Sequence, residues 1–342
     1  MSDSTNQHMR VTRAGEKRAF LITIDTEGDN LWARPSTITT RNAEYLPRFQ
    51  VLCERYRLKP TYLVNWEMAQ SPAFREFGRD ILARAVGEIG MHLHAWDSPP
   101  IVPLTRDDRV HHPYLFEYPL SVMRDKVKVL TSTLEDAFGC KIISHRAGRW
   151  GFNEVYAGVL LEHGYRVDCS VTPHISWKGN LGDPAGTGGS DFRRFPEAAY
   201  FMNLDDISVP GDSPLLEVPV SIRAIPRNRA MRRAQTVLKR TSWGGRVVRN
   251  LLPEYRWLRP LPRRGALVPL LERFRREERP YAEFMMHSSE FMPGGSPYFP
   301  TVDNVDRLYD QLEQLFSVAS THYEGLTLAE YYARLAPVCA PV

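Results

Sequence analysis

Apolar residues fall along this chain in two rhythms. Short runs rich in apolar and β-branched residues end in polar clusters: Ala19 to Ile24, Lys59 to Asn65, Glu88 to His94, Lys141 to His145, Tyr165 to Ser170, Pro214 to Val220 and Tyr281 to His287. Runs of this length predict strands, the most apolar of them buried on both faces. Between them lie stretches with apolar spacing of three and four. From Leu120 to Phe138 the positions Leu120, Met123, Val127, Leu130, Leu134 and Phe138 step by 3, 4, 3, 4 and 4, and Gly139 supplies the stop. That pattern predicts a helix, as do Glu154 to His163 before Gly164 and Val305 to Phe316.

Strands alternating with helices imply parallel pairing, in a barrel or a doubly wound sheet. A Gly-rich stretch from Gly179 to Ser190 and an Arg- and Pro-rich region from Ile225 to Pro280 interrupt the alternation. The expected layout is a polar leader over 1–18, an α/β body over 19–220 and 281–342, and an insertion or lid over 221–280.

Length and charge sharpen this picture. At 342 residues the chain can bury the core of one large α/β domain. Cys53, Cys140, Cys169 and Cys339 show no C-x-x-C pairing, which argues against a disulfide scaffold or a thiolate zinc site. The leader has no apolar core and no run is long enough to span a bilayer, so the expected location is cytoplasmic. The formal net charge of +4 hides an asymmetry: residues 221–280 carry 17 Lys and Arg against 4 Asp and Glu, a net +13. With Trp243, Tyr255 and Trp257 interleaved, this segment suits phosphates or an anionic lipid surface, so peripheral membrane contact is expected. No nucleic-acid motif accompanies it.

In parallel α/β architectures ligands bind beyond the carboxyl ends of the strands. Those ends carry Asp25-Thr26-Glu27-Gly28-Asp29, His92-Leu93-His94, His145-Arg146, Asp168-Cys169-Ser170 and His287-Ser288-Ser289-Glu290. Residues two apart on a strand share a face, so His92 and His94 can address one centre, and Asp25 and Glu27 can do the same. Imidazole and carboxylate ligands suit zinc or a similar divalent ion, which lowers the pKa of bound water to about 7. A separate carboxylate would take the water's proton and a separate histidine would protonate the departing amine. Asp25 and His287 fit those roles. Taken singly, each feature has an ordinary reading as a helix cap, a core histidine or a structural ion pair.

Five segments in order, ITIDTEGD, EIGMHLHAW, SHRAGRWG, GYRVDCSVTP and FMMHSSEF, resemble the motifs of the NodB-type polysaccharide deacetylases. The resemblance runs from Ala19 to Met292, plus the final helix pattern, and implies an irregular (β/α) barrel. It places the base on Asp25 and the metal-binding acid on Glu27, with Asp29 the alternative. His92 falls on the first metal-binding histidine, and Trp96 occupies the position of the second, so that His94 stands in on strand geometry. Arg146 falls on the arginine that holds the base, Gly148 to Gly151 line the groove, and alanine replaces the usual proline. Asp168 and Ser170 fall on the floor of the site, with Asp168 tuning the acid, His287. Trp32, Trp96 and Trp150 are the expected substrate-binding aromatics, Trp150 by stacking on a sugar face.

The resemblance implies a metal-dependent hydrolase, with Zn2+ the expected ion, that removes an N-acetyl or related acyl group from an amino sugar; the leader without an apolar core directs the expectation to a nucleotide-linked or lipid-linked glycan precursor rather than a wall polymer. Two rivals are a metal-free cyclic imide or ureide amidohydrolase on the same barrel and a non-catalytic glycan-binding protein. Metal content separates the first, and tight binding without turnover the second.

Overall fold

The strands, in chain order, are β1 (Arg18–Thr26), β2 (Pro60–Val64), β3 (Glu88–Leu93), β4 (Ser144–Ala147), β5 (Val167–Asp168), β6 (Tyr200–Phe201), β7 (Leu216–Glu217), β8 (Ile222–Ile225), β9 (Glu254–Trp257), β10 (Tyr281–His287) and β11 (Tyr323–Leu326). The computed structural model describes residues 17–225, 254–260 and 267–336. The polar leader, most of the basic segment with Trp243, and Cys339 lie outside the described residues. Nine strands form one sheet in the order β10-β1-β2-β3-β4-β5-β7-β6, with β11 joined to the first half of β1. Its pairs are parallel except β6 with β7. β8 and β9 form a separate antiparallel hairpin.

Strand parity sorts the side chains. Phe20, Ile22 and Ile24 face the helical layer and join the main core with Phe49, Leu130 and Phe316. Ala19 and Leu21 face the barrel interior with Leu63, Val167, Leu216, Tyr281 and Leu328. The same inward parity carries β1 upward through Thr23 and Asp25 to Glu27, from an apolar floor to a polar rim. Between β7 and β10 the ladder gives way to individual bonds. The Tyr281 hydroxyl donates to Pro219 O (2.6 Å), and the Glu283 N–H donates to Ser221 Oγ (2.9 Å). The barrel is irregular there.

The helix Leu120–Phe138 has the predicted bounds, with Gly139 in the left-handed conformation at its C-cap. Three predicted strands are shorter in the structure. Lys141 to His145 becomes Ser144–Ala147, Tyr165 to Ser170 becomes Val167–Asp168, and Pro214 to Val220 becomes Leu216–Glu217. The chain nevertheless stays extended beyond the ladder, with Val220 N bonded to Val171 O at 2.9 Å. The last long helix runs Val302–His322, beyond the predicted Val305 to Phe316.

Of the basic segment, the helix Leu267–Arg276 buries Leu267, Leu270, Leu271 and Phe274 against the barrel. Several arginines there are paired within the molecule: Arg223 and Arg279 meet Glu197, and Arg223 and Arg273 meet Glu277. Cys53, Cys140 and Cys169 are free thiols. Among the described residues no helix is long and apolar enough to cross a membrane.

Candidate metal centre and active site

At the carboxyl end of the barrel His92 and His94 turn inward from β3 and meet Glu27, one residue past β1. Glu27 Oε2 lies 3.6 Å from His92 Nε2 and 3.4 Å from His94 Nε2, and the two Nε2 atoms are 3.0 Å apart. Ligands placed tetrahedrally at zinc bond lengths stand roughly 3.3 Å from one another, so the spacing fits one small divalent cation. Among the described residues no other three His, Cys, Asp or Glu donors converge this closely. His92 Nδ1 lies 3.0 Å from the Arg146 carbonyl, which accepts its proton and leaves the Nε2 lone pair facing the centre. Burial, and then His92, His112, His287 and Arg149, hold His94 well below the ordinary histidine range, in the neutral form that ligates metals. Gly148 gives His94 its room: a Cβ there would stand 2.4 Å from His94 Cδ2 and 2.5 Å from Leu93 O.

Asp25 approaches the same centre and is pinned from below. Arg146, fully buried, donates through Nη1 to Asp25 Oδ1 at 2.6 Å. Its Nη2 donates to Thr23 Oγ1 and to Glu283 Oε1, both at 2.8 Å, and its Nε to Cys169 O at 3.1 Å. Burial pushes the Asp25 carboxyl up, but Arg146, His92 and His287 outweigh it and hold the group below the usual carboxylate range. Asp25 is therefore a carboxylate at neutral pH.

His287, at the end of β10, faces both acids: its Nε2 is 3.8 Å from Asp25 Oδ2 and 3.9 Å from Glu27 Oε1. Its Nδ1 lies 3.3 Å from Glu290 Oε2, and Glu290 Oε1 meets Arg259 Nη2 at 2.8 Å. Burial would lower His287, but the Glu290 contact and the charges of Glu27, Glu290 and Asp25 raise it above its ordinary value. Trp32 stands edge-on to its ring at 4.8 Å. Arg149 and Trp150 both have left-handed backbones, φ 55° and 61°, a conformation that costs a non-glycine residue about 1 kcal/mol or more. This turn carries Trp150 over the Arg146 guanidinium, 5.0 Å from the ring centroid.

The structure brings Asp25, Glu27, His92, His94, Arg146, His287, Trp32 and Trp150 together, and it corrects four expectations. Asp168 does not reach His287. Val167 and Cys169 take the inward parity on β5, so Asp168 faces the helical layer, where its Oδ1 accepts from His145 Nδ1 at 2.6 Å. His145 Nε2 in turn meets the Tyr156 hydroxyl at 2.7 Å. Ser170 is bonded to Asp168 and to the Ala147 N–H, both at 2.8 Å, and lies off the floor of the site. Asp29 is outside the centre as well, because its carboxylate accepts from Thr39, Arg41 and Asn42 and fixes the loop after β1. Trp96 lines the centre but stacks on His94 and His112, at 4.5 and 4.3 Å, and so packs one imidazole of the candidate centre.

Two residues of the site had no role assigned from sequence. Glu283 shares the inward parity of Tyr281, Met285 and His287, and a carboxylate in a buried strand was the available signal. Glu290 had none beyond its spacing of three from His287.

Two adjoining cavities share Trp32, Arg149, Trp150 and His287. The smaller, about 300 Å³, contains Asp25, Glu27, His92 and His94. The larger, about 540 Å³, extends over Trp177, Trp257 and Tyr298.

No family model matches the chain, and neither does any curated protein sequence. Solved structures do match. A candidate polysaccharide deacetylase from Mycobacterium smegmatis aligns with a TM-score of 0.51 and 14% identity over 97% of each chain. A 4-α-glucanotransferase from Thermococcus litoralis aligns with a TM-score of 0.53 and 13% identity, over 94% of this chain and 41% of that one. A family 4 carbohydrate esterase pseudoenzyme from Bacillus anthracis aligns at 0.41 and 13%, over 94% and 66%. Such identities speak for fold alone, and the names of the first two belong to different chemistries. The chain has the irregular (β/α) barrel fold of the NodB-type polysaccharide deacetylases.

Proposed function

We propose that the protein is a metal-dependent deacetylase acting on an N-acylated amino sugar. One observation carries this reading: Asp25 and His287 face the same point as the Glu27, His92 and His94 donors, and each is held by its own partner, Arg146 or Glu290. Zinc held by the three donors supplies polarisation of the acyl carbonyl and acidification of water. Asp25 accepts the attacking water's proton on Oδ2, the oxygen that Arg146 does not bind. His287 Nε2 gives a proton to the departing nitrogen, since an amide does not readily expel an unprotonated nitrogen. Trp32 and Trp150 offer the sugar apolar faces at the mouth and shield the site from bulk water.

The sugar belongs to a glycan precursor, linked to a nucleotide or a lipid, and the basic segment 221–280, an insertion or lid, meets an anionic partner or a membrane surface at the cytoplasmic side. The +13 charge of that segment supports this part of the reading. The test is acetate release from N-acetylated amino sugars by the zinc-loaded protein. Asp25→Asn is expected to abolish release while zinc remains bound. Turnover that survives this change would remove Asp25 as the base, and full activity in protein stripped of metal would move the assignment to the metal-free amidohydrolases.

A further inference from the structure

We infer that the larger cavity binds the non-reacting part of the substrate and that this part carries a phosphate, seated at Arg149 next to the sugar. The inference rests on the deacetylase reading for the contents of the smaller cavity, and on the larger cavity's own walls for the rest.

Charge is the first observation. Arg149, Arg256 and Arg259 line the larger cavity, and among the described residues no Asp or Glu does. Arg259 is neutralised by Glu290. Arg149 is different: its guanidinium donates to the main-chain carbonyls of His111, His112 and Leu181, and no described carboxylate lies within ion-pair distance of it. Neutral carbonyls and the Tyr114 ring, 4.4 Å away, fix its position, and with Glu117 acting on it only from beyond ion-pair distance it keeps a charge that an anion in the cavity can meet directly.

Position is the second. Arg149 lines both cavities, so an anion beside it sits at their junction. A sugar in the smaller cavity would therefore carry its phosphate at the edge that faces the larger one, as in a glycosyl phosphate.

The far wall is the third. Beyond Trp150 at the junction, Trp177 and Trp257 stand edge-on to each other at 77°, 6.5 Å between ring centroids. Leu267 and Leu270 complete this end. Such walls receive a flat or apolar body. A nucleoside diphosphate and a prenyl phosphate share this chemistry, a phosphate attached to a body of that kind.

The test compares UDP with uridine and geranyl phosphate with geraniol. Binding to the full chain is followed by calorimetry, with a chelator present so that no metal holds the phosphate. At least one phosphorylated probe is expected to bind about tenfold or more tightly than its parent, and which one does so identifies the aglycone. Arg149→Met removes that advantage, whereas Trp177→Ala weakens probe and parent alike. Should Arg149→Met fail to fold, the salt dependence of the advantage in the unaltered protein serves instead, since a phosphate held by arginine weakens as salt rises. Equal binding of each probe and its parent, no binding of either, or an advantage that survives Arg149→Met or is indifferent to salt overturns the site. Hydrolysis of neutral N-acetyl sugars without a phosphate preference would keep the deacetylase and discard this site; phosphate-dependent binding without turnover would do the reverse.

Discussion

Glu290 accepts both the main-chain N–H of His287, at 2.9 Å, and faces that residue's Nδ1 at 3.3 Å. One carboxylate thus fixes the backbone and the ring of the proposed acid, and Arg259 keeps it ionised from the other side.

Glu290→Gln preserves the shape and removes the charge that supports protonated His287. We expect kcat to fall by about tenfold or more, with little change in KM or zinc content. Steady-state kinetics with a metal assay checks this, and an unchanged kcat would remove Glu290 from the mechanism.

The partner expected from sequence was Asp168, and the reason it failed is instructive. The order of the polar strand ends predicted which segments meet, and parity predicted His92 with His94 and Asp25 with Glu27, because those strands are long enough to fix their own register. β5 is only Val167–Asp168, so its parity follows from its neighbours and the apolar run around it does not reveal which face is inward. Glu290 belongs to a turn, where no periodicity exists to read. β11, Tyr323–Leu326, went unpredicted because its Glu324 and Gly325 break the apolar pattern; it is a strand by virtue of pairing with β1.

Arg146 holds Asp25 with one nitrogen and Glu283 with another inside a fully buried shell. Arg146→Met leaves buried Glu283 without its counter-charge and Asp25 with the neighbouring histidines alone, which costs about 3 to 5 kcal/mol. Adding Glu283→Met should recover part of that loss without restoring activity, since Asp25 stays unpinned. Urea denaturation of the single and double variants measures it, and a double variant no more stable than Arg146→Met would contradict the pairing.

Lys126 offers a pH signature away from the centre. Its buried amine donates to Ser98 O at 2.6 Å and to Pro100 O at 2.8 Å. Burial, only partly offset by Asp97 and Asp108, lowers its pKa from 10.5 to about 8. Between those values the unfolded chain holds a proton that the folded one has released, so this group's contribution to stability rises with pH across that window. Relative to Lys126→Met, the unaltered protein should gain up to about 3 kcal/mol from pH 8 to 10.5. Parallel stability curves for the two proteins would refute the shift.

The last prediction concerns what lies behind His94. Its Nδ1 is buried without a hydrogen-bond partner, and Asp97 Oδ2 is 3.9 Å from it; Asp97 in turn meets Glu67, and burial pushes both carboxyls up so that the pair shares a proton. Buried polar atoms in native proteins are nearly always paired, so the unpaired Nδ1 beside this acidic pair points to an arrangement that closes when Nε2 takes its ligand. A small turn of the imidazole toward the centre brings Nδ1–H to Asp97, which then orients the ring and makes Nε2 a stronger donor. His92 already has this support from the Arg146 carbonyl; His94 has only Asp97. Asp97→Asn should therefore weaken zinc binding about 10- to 100-fold, with Glu67→Gln producing a smaller loss in the same direction. Competition against a chromophoric chelator reads the affinity without any substrate. A variant that loses stability yet binds zinc as tightly as the parent would make Asp97 a packing residue and leave His94 held by the stacked Trp96 ring alone.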